Sequence, residues 1–139
     1  MFISDAALIP WAPRVLSVLR IVVALLYLQH GLTKFFGFPG SAPASMPLFP
    51  GVLAGLIEII GSILLLLGLF TRPAAFIMSG EMAVAYWYAH FPRNPIPYNN
   101  GGNLAILYCF VFLYIFFAGP GPWSADAARG TESPRPTTA

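Results

Sequence analysis

Charge is what this chain has least of. Asp, Glu, Lys and Arg together make up 9% of its 139 residues, against roughly 25% in a typical soluble domain. So few charges cannot coat a water-facing surface, which argues against an ordinary soluble globular protein. Cysteine is nearly absent as well. The single Cys109 excludes an internal disulfide and a thiolate metal cage, and inside its apolar run it reads as a buried packing residue. The net charge is only +2, with the basic residues scattered, so nucleic acid is not an expected partner. The chain carries no iron–sulfur, flavin or covalent haem signature, and no metal site or resident cofactor is expected.

What is abundant is hydrocarbon. Hydrophobic residues account for 58% and aromatic residues for 15% of the sequence, and the mean hydropathy is +0.74. A helix crossing the bilayer needs about 20 mostly apolar residues. Four segments fit: about Val15–Phe36, Gly51–Phe70, Pro73–His90 and Gly102–Ala118. The first is too long for a signal-peptide core and has no small-residue cleavage site close behind it, so it reads as a permanent span. Gly, Pro, Ser and Asn punctuate the connections at 37–50 and 91–101, and Pro73 suits the first turn of a helix. The expectation is an all-α integral membrane four-helix bundle over residues 1–123, followed by a flexible tail at 124–139. Arg14, Arg20, Arg72, Arg129 and Arg135 gather on one side, which places both termini in the cytoplasm. Trp11 and Trp123 then lie at that interface.

This topology assigns a depth to each embedded polar residue. At 1.5 Å per residue, His30 lies about 9 Å below the outer end of its helix, with Lys34 one turn nearer the outside. Glu58 lies in the outer half of the second span and Glu81 near the middle of the third. His90 ends that span, and Asn99, Asn100 and Asn103 open the fourth. Ionisable groups inside a membrane are costly unless paired or hydrated, so their convergence in the outer half marks a candidate site. Tyr27, His30 and Lys34 share one helix face by their spacing of three and four. Glu58 sits in a stripe of small residues, Gly51, Ala54, Gly55, Gly61 and Ser62, which lets another helix approach closely. Glu81 and Tyr88 share a face, whereas His90 points nearly opposite Glu81.

Several stretches together carry a resemblance. They are Arg20 with His30-Gly-Leu-Thr-Lys34, the run from Gly55 through Gly68-Leu-Phe-Thr-Arg-Pro73, the segment Asn100-Gly-Gly-Asn-Leu-Ala-Ile-Leu-Tyr108, and the ending Gly119-Pro-Gly-Pro-Trp-Ser-Ala-Asp126. In order and spacing the chain resembles the DoxX family of small four-helix bacterial membrane proteins over roughly Arg20 to Asp126. The resemblance implies a multi-pass protein of the bacterial cytoplasmic (inner) membrane tied to redox metabolism. Some members look like subunits of thiosulfate:quinone oxidoreductase, and others are linked to thiol and oxidative stress. Many relatives are acidic where this chain has Asn103.

The leading functional expectation is a redox-linked membrane subunit whose outer pocket takes a quinone or a small sulfur or oxygenated substrate. His30 and Glu58 are the expected catalytic pair, exchanging protons with the bound ring. Lys34, Tyr27, Glu81, Tyr88, His90 and Asn103 are the expected binding residues. Electrons then require a partner subunit; the expected partners are the lipid bilayer and either such a subunit or further copies of the chain in a homo-oligomer. The alternatives are a non-catalytic membrane anchor, scaffold or assembly protein, in which a Lys34–Glu58 pair fixes helix register, and a small transporter using Glu81.

Overall fold

The computed structural model describes residues 4–130. Among them the chain is all-helical, with seven α-helices and no strand. A short α1 (Asp5–Leu8) leads into α2 (Ala12–Phe36), where Pro13 occupies the first turn, a position that needs no backbone donor. Gly37 stops α2 in the left-handed region at φ 66°, and its N–H returns to the Thr33 carbonyl at 3.0 Å. After the loop at 38–47, a kinked π-type turn over Leu48–Val52, with Phe49 extended inside it, feeds α3 (Leu53–Leu67). Gly68 ends α3 at φ 63°. Then α4 (Thr71–Ala85) continues into a π-type turn at Tyr86–His90. The short α5 (Pro97–Asn100) precedes α6 (Asn103–Ala118), and α7 (Ala125–Ala128) follows.

The four longer helices pack on one another: α2 against α3, α3 against α4, α4 against α6, and α6 back against α2. Tyr27, Leu65, Met78, Phe112 and Ile115 are fully buried between them. The Tyr27 ring meets Tyr108 and Phe112 edge-on at 5.0 and 4.9 Å between centroids, the favoured geometry for two ring quadrupoles. Small residues set the spacing. A Cβ on Gly31 would lie 2.6 Å from Ile59 Cγ1 and 3.1 Å from the Gly55 carbonyl, so α2 and α3 meet almost backbone to backbone.

The outside of the molecule is apolar along its length. Leu25, Leu26, Ile60, Ile63, Phe76, Leu107, Phe110 and Phe117 are all exposed. Such a belt has no place in water and fits hydrocarbon. By length and composition, two helical segments can cross a bilayer, Ala12–Phe36 and Leu48–Leu67. The 16 residues of α6 rise about 24 Å, short of the roughly 30 Å hydrocarbon core. The 15 residues of α4 rise less, and the π-type turn extends them.

At one end of the molecule the segment after α6 is tied back onto the helices. Arg20 is fully buried and donates to the carbonyls of Pro120 (2.8 Å), Leu66 (3.0 Å), Trp123 (2.5 Å) and Leu65. Asp126 accepts from the backbone N–H groups of Phe70 (3.0 Å) and Thr71 (2.9 Å), at the start of α4. Ser124 caps α7, accepting from Ala127 N–H at 3.1 Å. Residues 124–130, the first part of the expected tail, thus carry a helix hydrogen-bonded to the helices before it. The remainder, 131–139, with Arg135 and the chain end used to argue orientation, lies outside the described residues.

Candidate functional site

At the other end of the molecule lie the embedded ionisable groups. Lys34, on the last turn of α2, reaches Glu58 on α3, with Nζ 2.5 Å from Oε1. The Gly31–Gly55 approach one turn earlier makes this reach possible, since it brings the two helix axes together beneath the pair. Glu58 is 3% exposed, whereas Lys34 keeps 30% of its side chain accessible. On α4, Glu81 accepts a hydrogen bond from the Tyr27 hydroxyl of α2, at 2.5 Å to Oε2. Each carboxyl therefore has one engaged oxygen. The others, Glu58 Oε2 and Glu81 Oε1, are buried without a hydrogen-bond partner. A buried, unpartnered carboxylate oxygen is expensive, and two in one place point to a missing complement.

Both carboxyls border one cavity of about 310 Å³ between α3, α4 and the 48–52 turn. Lys34, Glu58 and Glu81 supply its charge, while Phe49, Leu53, Ala54, Ile57, Ile77 and Tyr88 supply hydrocarbon and ring. Tyr88 is largely exposed and its ring stands 6.0 Å from that of Phe49, nearly perpendicular to it. A second cavity, of about 350 Å³, lies on the far side of the Lys34–Glu58 pair, lined by Tyr27, His30, His90, Gly101, Ala105 and Tyr108. Lys34, Glu58, Met82, Ala85 and Ala89 border both spaces and form the partition between them.

The structure thus places Tyr27, His30, Lys34, Glu58, Glu81, Tyr88 and His90 on the walls of two adjoining cavities rather than one. His30 lies on the exposed side of α2, its ring 5.8 Å from Tyr27 and 5.9 Å from Tyr108. His90 and Glu81 fall on different cavities, in keeping with their opposed helical phase. The π-type turn at 86–90 widens the helix there, and His90 Nδ1 comes 3.0 Å from the Asn100 carbonyl. Asn103 opens α6 on its exposed side and borders neither cavity. Its neighbour Asn100 is the structural residue. Buried at 5% exposure, Asn100 donates to Asn94 O (2.7 Å) and accepts from Gly102 N–H (2.7 Å). Phe49 and Tyr108 escaped the sequence reading because aromatic residues are everywhere in this chain and neither carries a charge.

Outside the spans one titratable group stands out. Burial works against the Asp126 carboxylate, but the hydrogen bonds from Thr71 and Phe70 outweigh it. With Arg129 nearby, they hold Asp126 below the ordinary carboxylate range.

Comparison with known proteins identifies a family and relatives. The DoxX family model matches residues 15–91. An uncharacterized protein of Haemophilus influenzae is 47% identical over 124 residues, covering 84% of this chain and 91% of its own length. The inner membrane protein YphA of Escherichia coli is 32% identical over 127 residues, covering 82% of this chain and 89% of its own. No solved structure gives a significant match.

Proposed function

Because the chain is a membrane protein that belongs to the DoxX family, we propose that it is a redox-linked subunit of the bacterial inner membrane. In this reading α2, α3, α4 and α6 cross as a four-helix bundle with both termini in the cytoplasm. The E. coli relative's name, an inner membrane protein, supports the location. The 310 Å³ cavity receives the ring of a quinone, or a small sulfur or oxygenated substrate, arriving from the lipid between α3 and α4.

The observation that carries this reading is the pair of buried carboxyls, each with one unpartnered oxygen, on two residues that border the same otherwise apolar cavity. The walls suit a flat apolar ring, since Phe49 and Tyr88 are placed to pack against it. The polar end suits hydroxyl or carbonyl groups that exchange protons. Lys34 offers donors, Glu58 and Glu81 offer acceptors, and Tyr27 holds Glu81 in place. A quinone carries electrons as well as protons, and a partner subunit supplies their exit. His30 stands on the second cavity, so its role is proton exchange across the partition rather than contact with the ring.

The test is complementation in a strain lacking the chromosomal copy, read as the quinol-to-quinone ratio of isolated membranes. Glu58→Gln and His30→Ala are expected to insert normally and to leave the ratio where the deletion puts it. Full restoration by both variants would show that the pocket is structural. The close Lys34–Glu58 pair favours one second reading, an anchor or assembly protein in which the pair fixes helix register. That reading expects a stoichiometric partner in mild detergent and full function from a variant that replaces both charges with apolar residues.

A further inference from the structure

Two cavities meeting at one ion pair raise a question that a single pocket does not. Their walls differ. Apart from Lys34, Glu58, Glu81 and Tyr88, the first cavity is hydrocarbon, and it borders exposed Leu53 and Val84 on the lipid-facing side. The second holds both histidines of the chain and opens toward exposed His30, Gly101 and Leu104, beside the loop at 91–102. Glu58 is the only carboxylate among the described residues that borders both. It is nearly fully buried, with Oε1 held by Lys34 and Oε2 unpartnered.

We infer that the two cavities divide the work: the apolar one admits a ligand from the bilayer, and the histidine-lined one is a hydrated proton vestibule reaching the outer surface, with Glu58 carrying protons between them. The inference rests on the functional reading above only for the identity of the ligand. In the transfer, the Glu58 carboxylate takes a proton from a ligand hydroxyl in the first cavity, whose O–H bond breaks and leaves the ligand anion beside the Lys34 ammonium. The carboxyl then gives the proton to water in the second cavity or to the His30 imidazole, which releases it outside. No electron moves and no co-reactant is needed. A space of 350 Å³ has room for several waters, at roughly 30 Å³ of liquid volume each. The ionisable groups that share a cavity wall with Glu58 are Tyr27, His30 and Lys34 from α2, Glu81, Tyr88 and His90 from α4 and its extension, and Tyr108 from α6.

The test separates the two spaces with substitutions that touch one each. Ala105→Leu, and Leu104→Trp at the mouth, fill the second cavity; Ala54→Leu, and exposed Val84→Trp, fill the first. The full chain in nanodiscs is given a downward pH jump, and protonation of its carboxylates is followed by time-resolved infrared absorption. Glu58→Gln and Glu81→Gln assign the bands. A short-chain benzoquinone is titrated separately by tryptophan fluorescence. Filling the second cavity is expected to slow protonation of Glu58 and Glu81 about tenfold or more and to leave benzoquinone binding unchanged. Filling the first is expected to weaken benzoquinone binding about tenfold with protonation at the wild-type rate. Equal rates in all four variants, or slowing confined to the first-cavity variants, would overturn the inference. If wild-type protein binds no benzoquinone, the ligand reading fails, and the infrared rates alone decide whether the vestibule conducts protons.

Discussion

Arg20 illustrates how much one residue can hold in this molecule. Its guanidinium sits without solvent contact and serves four carbonyls, two at the end of α3 and two in the segment after α6. A planar fork suits this task and an ammonium does not. Arg20→Met is therefore expected to lower stability by about 3 kcal/mol or more, since buried acceptors lose a charged donor, and Arg20→Lys to recover little. Thermal denaturation in detergent, read by circular dichroism, measures both, and near-wild-type behaviour of Arg20→Lys would refute the multidentate role. Gly31 matters for the opposite reason, since it has nothing to offer but space. A methyl there meets Ile59 and the Gly55 carbonyl, so Gly31→Ala is expected to cost about 1–3 kcal/mol. It also pushes Lys34 away from Glu58, which should appear as a loss of activity larger than that of Gly80→Ala, where a Cβ meets nothing within 4 Å. At this scale the sequence spoke clearly of charge and faintly of everything else. Lys34, Glu58 and Glu81 were legible because ions in hydrocarbon need a reason. Arg20 was read for orientation and resemblance only, because its acceptors lie 45 to 103 residues away and backbone carbonyls have no sequence signature.

The helices themselves were legible from composition, and the irregular turns between them were not. The expected first span begins three residues inside α2 and ends with it at Phe36. The second and third were expected to start at Gly51 and Pro73, close to the starts of α3 at Leu53 and α4 at Thr71. The π-type turn at Tyr86–His90 has no such signal, although the regular helical phase still put Tyr88 with Glu81 and His90 apart from it. Nor could the docking of α7 be read, because Asp126 caps a helix that begins 55 residues earlier, at Thr71. That cap leads to a prediction about pH. The folded-state carboxylate titrates below its ordinary value, so its contribution is complete above the unfolded value, about 3.9, and fades as pH falls through the lower folded value. Asp126→Ala is expected to lower stability by about 1 kcal/mol near neutral pH, as loss of a helix cap does. The gap between wild type and variant should close below about pH 4. A gap that persists unchanged into strong acid would assign the effect to packing instead.

For the whole molecule, the two ends do different things. At one, Arg20 and Asp126 fasten the last described segment onto α3 and α4, and Arg72 donates to the Phe116 and Phe117 carbonyls at 2.5 and 3.0 Å. At the other, the ionisable groups border cavities, and two carboxyl oxygens among them go unpartnered. A protein stabilised at one end and left open at the other fits a bilayer in which only one surface exchanges ligand or protons. The proposed topology makes that asymmetry measurable. In a Cys109→Ser background, Ser41→Cys and Arg93→Cys occupy exposed positions in the two loops at the cavity end, and Ala128→Cys is exposed at the fastened end. A membrane-impermeant maleimide added to intact spheroplasts is expected to label the first two and to reach the third only after permeabilisation. The proposed orientation follows from the arginines near the fastened end, since positive charge favours the cytoplasmic side. Labelling of positions 41 and 93 from opposite faces would break the four-span reading. Labelling of all three only after permeabilisation would rule out the outward-facing vestibule and, with it, the route assigned to protons through His30.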